Sequence, residues 1–254
     1  GRSKLLTLTL SFPREMKKPA LITLLAGLLP ILAVHLAYLL NAFSGGELEP
    51  RLVCLPYIDG CVSISRAARS GPGLHLFRAV MLPCAVLVLL SWSFVREWLL
   101  CLDVCSRRRA WWVFVPGAVG AVFLVFYVTW LGTDGEWYRW LRRYGVTFYF
   151  GGTALAQLLL VWILWPLRKR LSGGTLSGSV TALLTLVSLQ WALGVFSALK
   201  SILFSDPVLI DRIENVIEWA YALPMALVFV LIAWMFNRSG FETRFSARET
   251  GGKG

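Results

Sequence analysis

The chain has 254 residues, 57% of them apolar and only 15% charged, with a mean hydropathy of +0.67. Soluble domains carry about 25% charged residues, so a water-facing surface over the whole chain is excluded and lipid is the expected solvent for much of it. The formal net charge of +11 does not point to nucleic acid, because the basic residues form short clusters between long apolar runs instead of lining one face or one domain.

A helix needs about 20 apolar residues to cross a bilayer core, and six runs meet that length, at about 20–42, 76–100, 110–131, 144–166, 179–203 and 214–236. The first is longer than the apolar part of a secretory signal and no small-residue cleavage site follows it, so it reads as a retained helix. Residues 44–74 form the one long connection. It is rich in turn residues (Gly45, Gly46, Pro50, Pro56, and Gly71-Pro72-Gly73), yet it keeps Leu52, Val53, Leu55, Tyr57 and Ile58 and is therefore predicted to fold. Cys54 and Cys61 both lie in it, either as a disulfide on an oxidising outer face or as two free thiols.

The second helix is bounded by Arg78 and Arg96, and at its end Cys101 and Cys105 lack the histidines that would make a metal site; no metal or other cofactor is expected. The third and fourth helices carry the pairs Gly117/Ala121 and Gly152/Ala156, whose small side chains let backbones approach closely. The fifth holds Gln190 and ends near Lys200, and the sixth opens with Asp211, Arg212, Glu214 and Glu218 before turning apolar. Residues 1–241 thus read as a single all-α, polytopic six-helix bundle, followed by a polar tail, 242–254, expected to be disordered.

Placing the N-terminus inside puts 16 of the 25 basic residues on the cytoplasmic side, which is the orientation that the Lys and Arg bias favours. Six spans return the C-terminus to the same side. The expected location is a plasma membrane, or the inner membrane of a bacterium.

With that topology most of the costly polar groups fall in the outer half: His35 and Asn41 on the first helix, Arg78 on the second, Lys200 on the fifth, and Glu214 and Glu218 on the sixth. Glu214 and Glu218, four apart, share a helix face, with Lys200, Arg78 and Arg212 as candidate cations. The bland alternatives are basic side chains that snorkel to the interface, a packing role for His35, and a structural ion pair for Glu218. There is no G-x-S-x-G, H-E-x-x-H or phosphate-binding loop motif.

Two segments carry a family likeness. Leu55-Pro56-Tyr57-Ile58, followed by Asp59, and Ile213-Glu214-Asn215-Val216-Ile217-Glu218-Trp219 resemble motifs of the Frag/DRAM/Sfk family of six-helix membrane proteins. Members carry Pro-Tyr-Ile-Ser-Asp after the first helix and a Glu followed by an aromatic residue in the last. Here the Ser is missing, so Asp59 aligns only with a one-residue gap. The resemblance implies a lipid-linked role: lipid remodelling, regulation at the plasma membrane, or modulation of autophagy.

The expectation is a protein that binds or remodels lipid at a polar site in the outer half of the bundle. Tyr57, Arg78, Lys200 and Glu214 are the head-group candidates. If chemistry occurs, acyl-chain transfer or hydrolysis is the expected class, with Glu218, Asp59 and His35 as catalytic candidates. The alternative is a non-catalytic regulator that recruits a cytoplasmic protein through Arg107-Arg108-Arg109 and Arg168-Lys169-Arg170. A small-molecule transporter ranks third.

Overall fold

The computed structural model describes residues 16–44, 54–168 and 175–242, and every regular element among them is helical. Residues 45–53, Lys169 and Arg170, and the tail beyond Glu242 lie outside the described residues, and so do the expectations that fell on them. The elements are α1 (Lys18–Phe43), the single-turn helices α2 (Pro56–Asp59) and α3 (Ile64–Ala67), then α4 (Gly71–Cys101), α5 (Arg107–Trp130), α6 (Glu136–Leu164), α7 (Thr175–Leu203) and α8 (Pro207–Ser239). The six long helices are apolar enough and long enough to span a membrane.

The helices run past the apolar segments that announce them, because capping chemistry sets where they begin. Asp206 accepts a hydrogen bond from the Val208 amide and Pro207 takes the first helical position, so α8 starts at Pro207 and not near residue 214. Ser106 accepts from the Arg109 amide, which draws Arg107-Arg108-Arg109 into the first turn of α5. Gly71-Pro72-Gly73 opens α4 with proline near its start instead of belonging to the loop.

Side by side, the long helices follow the order α6, α5, α4, α1, α8, α7. Finally α7 makes a lighter contact with α6, and α6 scarcely touches α8. The core is aromatic along α4 and α8: Trp92 meets Phe229 edge-on and Trp98 meets Phe236 edge-on, both with centroids 5.4 Å apart. Between α5 and α6 the backbones nearly touch. A Cβ on Gly152 would stand 2.6 Å from the Pro116 carbonyl oxygen, closer than any side chain tolerates.

The outward faces are apolar as well, with Leu32, Val86, Val115, Val122, Trp162 and Val195 all exposed. At the end where α4 finishes and α5 starts, arginines lie over indole rings. Arg96 is 4.5 Å from the Trp111 centroid, Arg108 5.9 Å from Trp112, Arg168 3.8 Å from Trp165 and Arg238 5.2 Å from Trp234. This is called the arginine end below; the opposite end, with α2 and α3, is the loop end.

Replacing Gly152 with Leu is expected to lower stability by about 1–3 kcal/mol through overpacking. The adjacent Gly151 has nothing within 4 Å of its would-be Cβ, so Gly151→Leu should leave the thermal unfolding midpoint in detergent nearly unchanged.

Candidate functional site

At the loop end, residues 54–70 cross the top of the bundle between α1 and α4. The segment is shaped locally first. Pro56 starts α2, and the Asp59 carboxylate accepts from the Leu55 amide at 2.8 Å to close its turn. Gly60 then takes φ +60, the left-handed conformation that reverses the chain. A Cβ there would also collide with the Arg212 carbonyl of α8. Ser63 caps α3 by accepting from the Arg66 amide at 3.1 Å. Cys54 and Cys61 bracket α2 at disulfide distance, their Cα atoms 6.7 Å apart.

Side chains from α1 and α8 then secure this backbone. Tyr38 donates its hydroxyl to the Cys54 carbonyl (3.0 Å) and accepts from the Cys54 amide (3.1 Å). The buried Asn41 donates to the carbonyls of Ala67 (2.8 Å) and Ser70 (2.9 Å) and accepts from the Gly73 amide (2.9 Å). From α8, Asn215 donates to the Gly60 carbonyl at 2.8 Å and Trp219 donates its indole N–H to the Val62 carbonyl at 2.9 Å. The Glu218 carboxylate lies beside the backbone of Ile64 and Ser65 at the start of α3. Arg66 donates to Asp211 (2.5 Å) and to Asn215 (2.9 Å), tying α3 back to α8.

Beneath this roof lies a cavity bounded by α1, α4, α5, α6 and α8. Its depth is apolar, formed by Ala26, Pro30, Met81, Ala226 and Phe229, with the rings of Tyr127 and Tyr149 on one wall. Its mouth holds His35, Tyr57, Glu218 and Trp219.

The tautomer at the mouth follows from its partners. His35 Nδ1 lies 2.7 Å from the Ile31 carbonyl, which can only accept, so Nδ1 carries the proton. In the neutral ring Nε2 then accepts from the Tyr57 hydroxyl at 3.1 Å. Burial pushes the Tyr57 phenol above its ordinary pKa, which keeps it a protonated donor. The Trp219 ring stands edge-on to His35 and Tyr57, with centroids 5.3 and 5.5 Å away.

Of the candidates named from sequence, the fold therefore brings His35, Tyr57 and Glu218 together. Asp59 lies on α2 but spends its carboxylate on the Leu55 amide. Arg78 donates to the Leu131 carbonyl at 2.6 Å and to Thr133 at 3.4 Å, which ties α4 to the turn after α5 and places it outside the cavity lining. Lys200 pairs with Glu214 and donates to the Ser197 carbonyl at 2.9 Å, joining α7 to α8. Two of the cations expected around Glu218, Arg78 and Lys200, are thus engaged with other acceptors.

Sequence reasoning passed over Arg66, Asn215 and Tyr38. The signal for Asn215 was present: Asp211, Asn215 and Glu218 follow a spacing of four and three, which puts them on one face of α8.

Comparison with known protein families, with characterised proteins and with solved structures finds no match to this chain.

The roof makes a direct prediction. Asn41→Ala leaves two carbonyls and one amide without their partner, at about 1–3 kcal/mol for each group that stays buried. The variant should unfold at a lower temperature and show faster amide exchange in residues 64–73, with exchange at the arginine end unchanged.

Proposed function

We propose that this is a multi-pass membrane protein that binds a membrane lipid, holding an acyl chain in the depth of the cavity and the head group at its mouth. The observation that carries the reading is the polarity of the cavity, with carbon walls along its length and all of its hydrogen-bonding side chains except two tyrosines gathered at one end. An amphiphile is the ligand that matches such a gradient. The apolar outward faces favour hydrocarbon surroundings. The Arg–Trp pairs at the arginine end suit a cytoplasmic interface, where Lys and Arg are enriched and indoles sit at head-group depth. A cysteine pair at disulfide distance suits an oxidising outer face for the loop end. Both termini then lie in the cytoplasm of a cell bounded by this membrane.

The likeness to the Frag/DRAM/Sfk family supports the same reading, since three of the residues in the segments that carry it, Tyr57, Glu218 and Trp219, line the cavity. A remodelling reaction on the bound lipid, hydrolysis or transfer of an acyl group, would draw on His35 and Glu218 for proton transfer. Recruitment of a cytoplasmic partner is the less favoured role for the basic segments, because Arg108 and Arg168 are already engaged with Trp112 and Trp165.

Purified in a glycoside detergent, the protein is expected to retain an acyl lipid detectable by native mass spectrometry. Ala222→Trp, which fills the cavity wall, should reduce the bound fraction about tenfold or more, equivalent to about 1.4 kcal/mol. Leu32→Trp on the exposed face should not. Equal lipid retention in all three proteins would sink the reading. Orientation is tested separately. Green fluorescent protein fused after Glu242 should fluoresce in cells while alkaline phosphatase at the same site stays inactive, and the reverse pattern would overturn it.

A further inference from the structure

Among the described residues, Glu218 is the single acidic side chain that lines the cavity, and no Lys or Arg lines it. None of the ion pairs among the described residues involves it. The backbone of Ile64 and Ser65 lies to one side of its carboxylate, which has room for about four hydrogen bonds. The remaining capacity lies at the mouth of the cavity beside the rings of His35, Tyr57 and Trp219.

Three cations of this end are committed elsewhere. Arg66 is held by Asp211 and Asn215, Arg78 by the Leu131 carbonyl, and Lys200 by Glu214. None of the three lines the cavity. A carboxylate flanked by aromatic rings attracts positive charge twice, through its own charge and through the negative ring faces, and it repels anions.

We propose that the cavity mouth selects an ammonium group, so that the lipid held here is one whose head group ends in an amine. This rests on the lipid-binding reading above and adds the chemistry of the head group to it. A primary ammonium fits best, because it can donate to the free lone pairs of the carboxylate while lying against the Tyr57 and Trp219 rings. A terminal phosphate finds a carboxyl group and no Lys or Arg in the cavity lining.

The test uses the full chain in glycoside detergent and three probes of one acyl-chain length: lysophosphatidylethanolamine, lysophosphatidylglycerol and monoacylglycerol. Free ethanolamine serves as the probe without a chain. Lysophosphatidylethanolamine is expected to bind about tenfold more tightly than the other two amphiphiles, and free ethanolamine should not bind measurably. Glu218→Gln should remove the preference while preserving chain-dependent binding. Tyr57→Leu should weaken the preference and Tyr57→Phe should keep it.

Equal affinity for the three amphiphiles, tighter binding of lysophosphatidylglycerol, or a preference that survives both Glu218→Gln and Tyr57→Leu overturns the head-group assignment. Ethanolamine binding as tightly as the lipid overturns the link between cation and acyl chain. If no amphiphile binds saturably, the lipid-binding reading itself falls. Should Glu218→Gln fail to fold, as judged by gel filtration and thermal unfolding, the pair Tyr57→Leu and Tyr57→Phe decides the question.

Discussion

A stretch of largely non-helical backbone laid across the end of a helical bundle must find a partner for every amide and carbonyl it buries, since an unpaired one costs as much as a lost hydrogen bond. Beyond the bonds the segment makes within itself, side chains from two helices supply partners. Tyr38 and Asn41 on α1, and Asn215 and Trp219 on α8, reach residues 54–73 at seven backbone groups. The adjacency of α1 and α8 follows from this as much as from apolar packing. So does the position of α2: with Cys54 held by Tyr38 and Gly60 by Asn215, the single turn between them can only present Tyr57 inward over the cavity.

The same bonds explain why one carboxylate differs from its neighbours. Three acidic groups on α8 lie within two turns of each other. Asp211 is neutralised by Arg66 and Glu214 by Lys200. Glu218, one turn further along, faces the bundle interior beside the backbone of Ile64 and Ser65, and Arg66 acts on it only through space while paired with Asp211. It therefore borders the roof on one side and the cavity on the other. That double use links stability and ligand recognition in a single residue, which is why substitution to the isosteric amide is more informative there than truncation.

The two ends of the bundle handle charge in different ways. At the arginine end, guanidinium groups lie flat on exposed or half-buried indoles, an arrangement that keeps the charge at the surface and the ring partly shielded. At the loop end, arginines and lysine are consumed as ties between elements: Arg78 between α4 and the turn after α5, Arg66 between α3 and α8, Lys200 between α7 and α8. Basic residues that look alike in the sequence are thus surface anchors at one end and internal fasteners at the other.

Local chemistry settled the part of this structure that was legible from the sequence. Six apolar runs of spanning length determined six helices, because each such run can satisfy its own backbone only by coiling. Asp206-Pro207 and Ser106 carried the helix starts in their own side chains, although hydropathy alone placed those starts several residues late. Proximity of His35, Tyr57 and Glu218 could be suspected from topology, since all three fall in the same half of the bundle. What tertiary structure alone decided was which polar group faces which. Arg78 and Lys200 stand at the same depth as Glu218 in any hydropathy reading, yet they point into other helix interfaces, where a carbonyl or a second carboxylate is nearer. Depth along a helix is written in the sequence, but rotation about its axis relative to five neighbours is set by packing, and it is rotation that made Glu218 the charge at the cavity mouth.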